Sequence, residues 1–333
     1  MRINRSSIMA RGALAIVAAL TLGTSLAACS KSKGGATSAG TTTTAAATTN
    51  TSTTGGGAGG SSTTVAGNSA NIETGGVGFF ANFKYTLTAG SLAPNADDAT
   101  QQDLSLTFNW LNTSAVTSAQ PLHEFDIRLK TSEVAKADTS KVNPDGTVSP
   151  GASGTLIATW KLKAAFHPNA TTVILGDPDQ VDAAVIVLSA GAKGITKEPK
   201  DESVTFKVTG ARSGASFAVT GAQILSADPT GSAQADKGTA YLMLSVNETA
   251  GSDTQGLSSF DVTVLEPDGS AVAASTWLDA SGKGVGNLGL SAGQTKPGKL
   301  LFAIKDNTKV PGTYTLQLVS DSGTPVSGTF KLT

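Results

Sequence analysis

Apolar and polar positions divide this chain into three stretches. Gly12 to Gly23 is almost wholly apolar, with Ala13-Leu14-Ala15-Ile16-Val17-Ala18-Ala19-Leu20 at its centre. From Ser30 to about Glu73 large apolar residues almost vanish, and Thr, Gly, Ser and Ala take their place. Beyond about residue 75 apolar residues return at every second position. Leu104, Leu106, Phe108 and Trp110 alternate with Ser105, Thr107 and Asn109; Phe125, Ile127 and Leu129 alternate with Asp126 and Arg128; Leu156, Ala158, Trp160 and Leu162 do the same. A period of two marks half-buried strands, and no segment of this part carries a capped helical stripe. The expected fold class is all-β.

The alternating pattern occurs twice. Leu242, Leu244 and Val246 answer Leu106, Phe108 and Trp110 at an offset of 136, and Phe260-Asp261-Val262 answers Phe125-Asp126-Ile127 at 135. Leu300, Phe302 and Ile304 answer Leu156, Ala158 and Trp160 at 144; Leu316 and Leu318 answer Val173 and Leu175 at 143; Phe330 and Leu332 answer Ile186 and Leu188 at 144. Matching Asn112 with Asn247 by identity gives 135 for the first pair but turns its apolar face outward, so face takes precedence, because a one-residue slip flips every side chain. First strands are expected near Phe79 to Leu87 in one copy, and at Val204 to Val208 with Phe217 to Ile224 in the other.

Each copy spans roughly 110 residues with about seven strands, the dimensions of an immunoglobulin-like sandwich. The expected organisation is a leader over residues 1–28, a tether over 29–75, a first sandwich over 76–190, a linker over 191–203 and a second sandwich over 204–333. Lys193, Lys197, Glu198, Lys200, Asp201 and Glu202 give the linker a solvated composition. Thr205-Phe206-Lys207-Val208-Thr209 resembles the terminal Thr329-Phe330-Lys331-Leu332-Thr333, so it either opens the second copy or closes the first.

The leader begins with Arg2, Arg5 and Arg11, and its apolar run is short of the roughly 20 residues needed to span a bilayer. It ends in Leu26-Ala27-Ala28-Cys29, which holds the one cysteine of the chain. This resembles the lipobox of bacterial lipoproteins. The resemblance implies cleavage before Cys29, a diacylglyceryl group on its thiol and anchorage to the extracytoplasmic face of the cell membrane, two acyl chains being enough for stable attachment where one is not. With no second cysteine the exported part has no disulfide. The tether that follows is expected to be disordered, since it cannot bury enough apolar surface to offset its conformational entropy, and it reaches about 35–40 Å as a flexible coil.

The repeated part resembles the telokin-like, immunoglobulin-like domains of exported lipoproteins of Gram-positive bacteria. The resemblance rests on Asn112-Thr113-Ser114, on Ser149-Pro150-Gly151 ahead of the Trp160 strand, and on Val173-Ile174-Leu175-Gly176-Asp177-Pro178; the second copy keeps Asn247-Glu248-Thr249 and Ala292-Gly293 but has Val319-Ser320-Asp321 in place of the Gly-Asp-Pro turn. It implies export and binding, and it brings no catalytic residue.

Composition narrows the function further. The leader holds three of the 24 basic residues, leaving 21 against 25 Asp and Glu, so no basic footprint points to nucleic acid. Gly284-Val285-Gly286-Asn287-Leu288-Gly289 fits a dinucleotide fingerprint, yet no helix is predicted after it. Gly293 to Lys299 imitates a phosphate loop, but Leu300 stands where a Ser or Thr belongs. The two histidines, His123 and His167, are too few for a usual zinc site, and no Ser/His/Asp arrangement occurs. Asp177, Asp179 and Asp182 are weak candidates for an oxygen-rich cation loop, with a solvated turn as the alternative. Trp110 and Trp160 fall in the apolar phase of their strands. Trp277 does not declare its phase and is the candidate ligand contact.

No catalytic residue, metal or cofactor is therefore expected. The expected function is a noncatalytic surface lipoprotein that binds an envelope protein or glycan. The alternative is a solute-capture lipoprotein with a pocket between its two domains.

Overall fold

The computed structural model describes residues 72–114, 118–122, 127–131, 134–168, 171–189, 193–231, 233–252, 255–305 and 311–333. The lipobox residues Leu26, Ala27, Ala28 and Cys29, nearly all of the tether, and His123 to Asp126 lie outside them. Among the described residues the protein is all-β, with antiparallel pairing throughout four sheets that form two sandwiches.

In the first copy one sheet has the order β1 (Val77–Phe80), β2 (Phe83–Pro94), β3 (Gln101–Asn112), β7 (Ser153–Lys163), β6 (Thr139–Asn143). It faces a sheet ordered β5 (Val134–Lys136), β4 (Ile127–Lys130), β8 (Thr172–Leu175), β9 (Ala184–Val187). In the second copy the larger sheet runs β10 (Lys200–Glu202), β12 (Ser216–Leu225), β13 (Thr239–Thr249), β18 (Thr295–Lys305), β16 (Thr276–Leu278), β17 (Gly284–Val285), with β11 (Phe206–Thr209) also on β12. Its partner sheet is β15 (Ala271–Ala273), β14 (Val262–Leu265), β19 (Gly312–Leu318), β20 (Val326–Leu332).

Each copy has its own core. Phe83, Tyr85, Leu104, Leu106, Phe108, Trp110 and Trp160 are buried in the first, and Phe217, Leu242, Leu244, Trp277, Phe302 and Tyr314 in the second. Each such side chain contributes roughly 1.5–3 kcal/mol through removal from water. Strand pairing reproduces the predicted offsets of all but the last strand. Trp110 stands opposite Gly154 and Val246 opposite Gly298, giving 136 and 144; Ile127 stands opposite Leu175 and Val262 opposite Leu318, giving 135 and 143.

Four expectations change. The strand expected over Phe79 to Leu87 is two strands, β1 and β2, joined by a two-residue turn in which Ala81 and Asn82 have φ of 49° and 65°. Positive φ at both central residues is the geometry that matches hairpin twist, and Asn tolerates it better than Ala. Ile72 to Gly75 belongs to the first sandwich rather than to the tether: Glu73 N–H donates to Leu188 O, Gly75 N–H to Leu87 O, and Ile72 covers Gly90 so closely that an added Cβ there would sit 2.7 Å from it. The last strand pairs at an offset of 142, not 144, because Val173 faces Ile186 while Leu316 faces Gly328. A slip of two keeps the same face inward, so alternation is blind to it. Phe260, the expected counterpart of Phe125, does not face inward. It lies in a 3-10 turn, Ser259–Asp261, and is 86% exposed.

The linker is structured. Ile195 bridges Val185, Phe79 N–H donates to Thr196 O, and Lys200–Glu202 forms β10 against Ala222 to Ile224. Phe206–Thr209 opens the second copy, pairing with Ser216 to Val219 while Phe206 stacks on Phe330 at 5.6 Å.

The two copies meet at a hydrogen-bonded joint. The β1–β2 hairpin tip of the first copy reaches the loop between β12 and β13 of the second. Ala81 N–H donates to Gln234 Oε1 at 2.8 Å, and Asn82 Nδ2 donates to the carbonyls of Asp228 and Gly231 at 2.7 and 2.6 Å. Gln234 Nε2 donates in turn to Asp182 O at 2.7 Å, Asp182 N–H donates to Ala235 O, and Val181 bridges Asp236. Hydrogen bonds of this kind contribute on the order of 1 kcal/mol each.

Candidate functional site

Strand β13 begins at the joint and ends at the opposite pole of the second sandwich. Because β12 starts, β14 starts and β19 ends at that pole, four connections converge there: residues 210–215, 250–252 with 255–261, 286–294 and 319–325. They are tied to one another. Arg212 N–H donates to Val319 O, Val319 N–H to Asp261 O, Ser259 N–H to Gly286 O and Gly293 N–H to Ala250 O. The Arg212 guanidinium pairs with the Asp261 carboxylate. A capping box, Ser258 with Asp261, fixes the short turn that presents Phe260 to solvent.

Under these loops lies Glu248, fully buried. Its Oε1 accepts from Leu257 N–H at 2.6 Å, while Oε2 has no partner among the described residues. Gly256, at φ +76°, makes room for it; a Cβ there would lie 2.9 Å from Oε1. Burial pushes the Glu248 carboxyl up from its ordinary 4.5 to about 7, the Leu257 amide opposing and the charge of Asp261 adding to the rise.

A second feature is a groove of about 500 Å³ on the solvent face of the larger sheet, with Thr220, Ser245, Asn247 and Lys299 on its floor and Asp279 and Ser281 in its wall. The wall is preorganised: Asp279 Oδ1 accepts from the amides of Ser281 and Lys283 and from the Ser281 hydroxyl. These bonds, the hydroxyl's foremost, hold the Asp279 carboxyl below its ordinary range. A third is a cleft of about 280 Å³ beside the linker, with Ile195, Lys197, Ile224, Leu225 and Ala240 among its walls. There Lys197, at φ 56°, pairs with Asp182 at 2.6 Å.

The residues singled out from sequence go elsewhere. Trp277 is fully buried, edge-on to Phe217 at 5.5 Å, and its indole N–H donates to Leu257 O at 3.0 Å. It is a core residue, out of reach of a ligand, because β16 pairs with β18 on one side and β17 on the other with this position inward. Asp177, Asp179 and Asp182 do not converge: Asp177 holds Arg128 at 2.7 Å, Asp182 holds Lys197, and exposed Asp179 lies 3.8 Å from Lys237. Among the described residues no group of three or more potential metal ligands forms, and no helix is long and apolar enough to cross a membrane. After Gly284–Val285 the glycine fingerprint continues as loop, with Gly289 N–H donating to Asn287 Oδ1.

Glu248 was not among the predicted site residues, although its signal was present. Leu242, Leu244 and Val246 set an inward phase, and the next inward position is a glutamate.

Comparison with protein-family models, with curated proteins and with solved structures finds no match for this chain.

Proposed function

We propose that this chain is a noncatalytic surface lipoprotein, anchored through Cys29 to the extracytoplasmic face of the cell membrane, whose two sandwiches form a binding module for an envelope protein or glycan. The observation that carries this reading is the groove of the second copy, which gathers several polar side chains on its floor and in its wall. Its size falls within the range of ligand pockets. The Ser245 hydroxyl, the Asn247 carboxamide and the Lys299 ammonium offer donors with no partner among the described residues, which suits a hydroxyl-rich or acidic surface. The test is retention of residues 72–333 on washed cell envelopes and on the separated wall glycan, beside the triple variant Ser245→Ala, Asn247→Ala, Lys299→Ala. Saturable retention that the variant loses supports the groove; retention on neither fraction overturns the binding reading.

A second reading, solute capture, draws on the tied linker and the cleft beside it. It predicts a small-molecule ligand whose affinity falls with Lys197→Ala, and it takes over if envelopes retain nothing. The anchor is tested separately. Cys29→Ser should move the full chain out of the washed membrane fraction, and a variant that stays there removes the lipobox from the proposal.

A further inference from the structure

The equivalent position in the first copy shows what is unusual about Glu248. At the offset of 136 it corresponds to Asn112, which is also buried at the end of its strand and opposite a phenylalanine, Phe83 in one copy and Phe217 in the other. Asn112 is satisfied on both sides: Nδ2 donates to Val148 O at 3.1 Å, and Oδ1 accepts from Ser114 N–H at 3.0 Å. Glu248 keeps the inward direction and the backbone amide as partner, but its second oxygen is buried with no donor among the described residues. A carboxylic acid tolerates that site when neutral. A carboxylate does not, because ionisation in a buried site with a single amide donor carries a large desolvation cost.

Among the described residues the surroundings offer no compensating cation. Lys296, directly across from Glu248 on β18, spends its ammonium on the carbonyls of Leu288 and Gly289 at 3.3 and 2.9 Å. Arg212 is paired with Asp261, and Asp261 itself adds negative charge. On β12 the facing residue is Phe217; the described parts of loops 250–258 and 286–294 hold no titratable side chain, and Asp253 lies outside the described residues.

We propose that Glu248 is a proton-operated latch for the loop cluster at the free pole of the second sandwich. Protonated, it lets Gly256 and Leu257 close over it. Ionised, it draws water, and Gly256 and Leu257 must lift away. Leu257 is the coupling point, because its amide binds Glu248 while its carbonyl accepts from the Trp277 indole. Ser258, the next residue, caps the turn that carries Phe260, so lifting changes how that exposed ring is presented.

The test follows the natural chain without leader and lipid by NMR. In the unmodified protein the Glu248 side-chain carboxyl carbon should titrate near 7. Hydrogen exchange at the Leu257 amide, corrected for its intrinsic pH dependence, should lose protection about tenfold per pH unit between 4.5 and 7 and then level off, about 300-fold in all. The Ser114 amide in the first copy should show no such loss, and Glu248→Gln should make the Leu257 profile flat. A Glu248 carboxyl titrating below about 5.5 overturns the latch even if the variant fails to fold, as does a flat Leu257 profile in the natural protein, or a sloping one in a folded Glu248→Gln.

Discussion

The two copies solve one packing problem with different residues. Each buries a tryptophan edge-on against a phenylalanine of the strand that precedes its central strand: Trp110 against Phe83 of β2 at 5.8 Å, and Trp277 against Phe217 of β12 at 5.5 Å. Yet Trp110 comes from the central strand β3, where the second copy has Val246, and Trp277 comes from the short strand β16, between β18 and β17. The indole of Trp110 donates to Thr155 O within its own sheet, whereas that of Trp277 donates to the loop at Leu257 O. A duplicated sandwich thus conserves the volume to be filled beside that phenylalanine and leaves open which strand supplies it. By moving the tryptophan, the second copy ties its core to the loops of its free pole. Its acid at position 248 then makes that tie sensitive to pH.

The largest effects should come from the tryptophans. If both fill equivalent volumes, Trp110→Ala and Trp277→Ala should each cost about 3–5 kcal/mol in denaturant unfolding. Only Trp277→Ala should also expose the Leu257 amide to exchange, and equal exposure by both would break the comparison. Next comes the buried acid. A folded value raised above the ordinary one means the penalty is absent below about 4.5, grows as pH rises and is complete above about 7, roughly 3 kcal/mol for the second copy. Unfolding curves at pH 5 and pH 8 should show this loss in the natural protein and not in Glu248→Gln. Asn112→Asp should transfer it, making the first copy less stable at pH 8 than at pH 5 by a similar amount.

Smaller effects test the joint. Asn82→Ala removes two interdomain hydrogen bonds and should cost about 1–2 kcal/mol. It should also separate the unfolding of the two copies, and a single unchanged transition would mean that the hairpin tip does not couple them. The smallest effect has the opposite sign. Ala81→Gly relieves a positive φ and should stabilise the protein by up to about 1 kcal/mol by differential scanning calorimetry.

Much of the fold was legible because burial in a strand leaves a period-two trace. Leu104 to Trp110 and Leu156 to Leu162 declared their faces, and the duplication followed from their spacing. What alternation cannot see was missed. It does not register a slip of two, as in β20, or a tight hairpin inside a continuous apolar run, as at Ala81-Asn82. It also misled at Phe260, where the alternation breaks as the chain enters a 3-10 turn before β14. Glu248 breaks the inward apolar phase of Leu242, Leu244 and Val246, but alternation cannot tell a buried acid from a strand that has run out into solvent.

Sequence alone determined the all-β class, the two copies and most of their inward faces, since these depend on local alternation and on the apolar surface each strand must bury. Tertiary structure decided the rest: that Trp277 belongs to the core, that Asp177, Asp179 and Asp182 part company to three different cations, that the charged linker is bound on both sides, and that one glutamate sits where no water reaches. Those outcomes depend on which distant groups a side chain meets, and desolvation and pairing are properties of that meeting rather than of the residue.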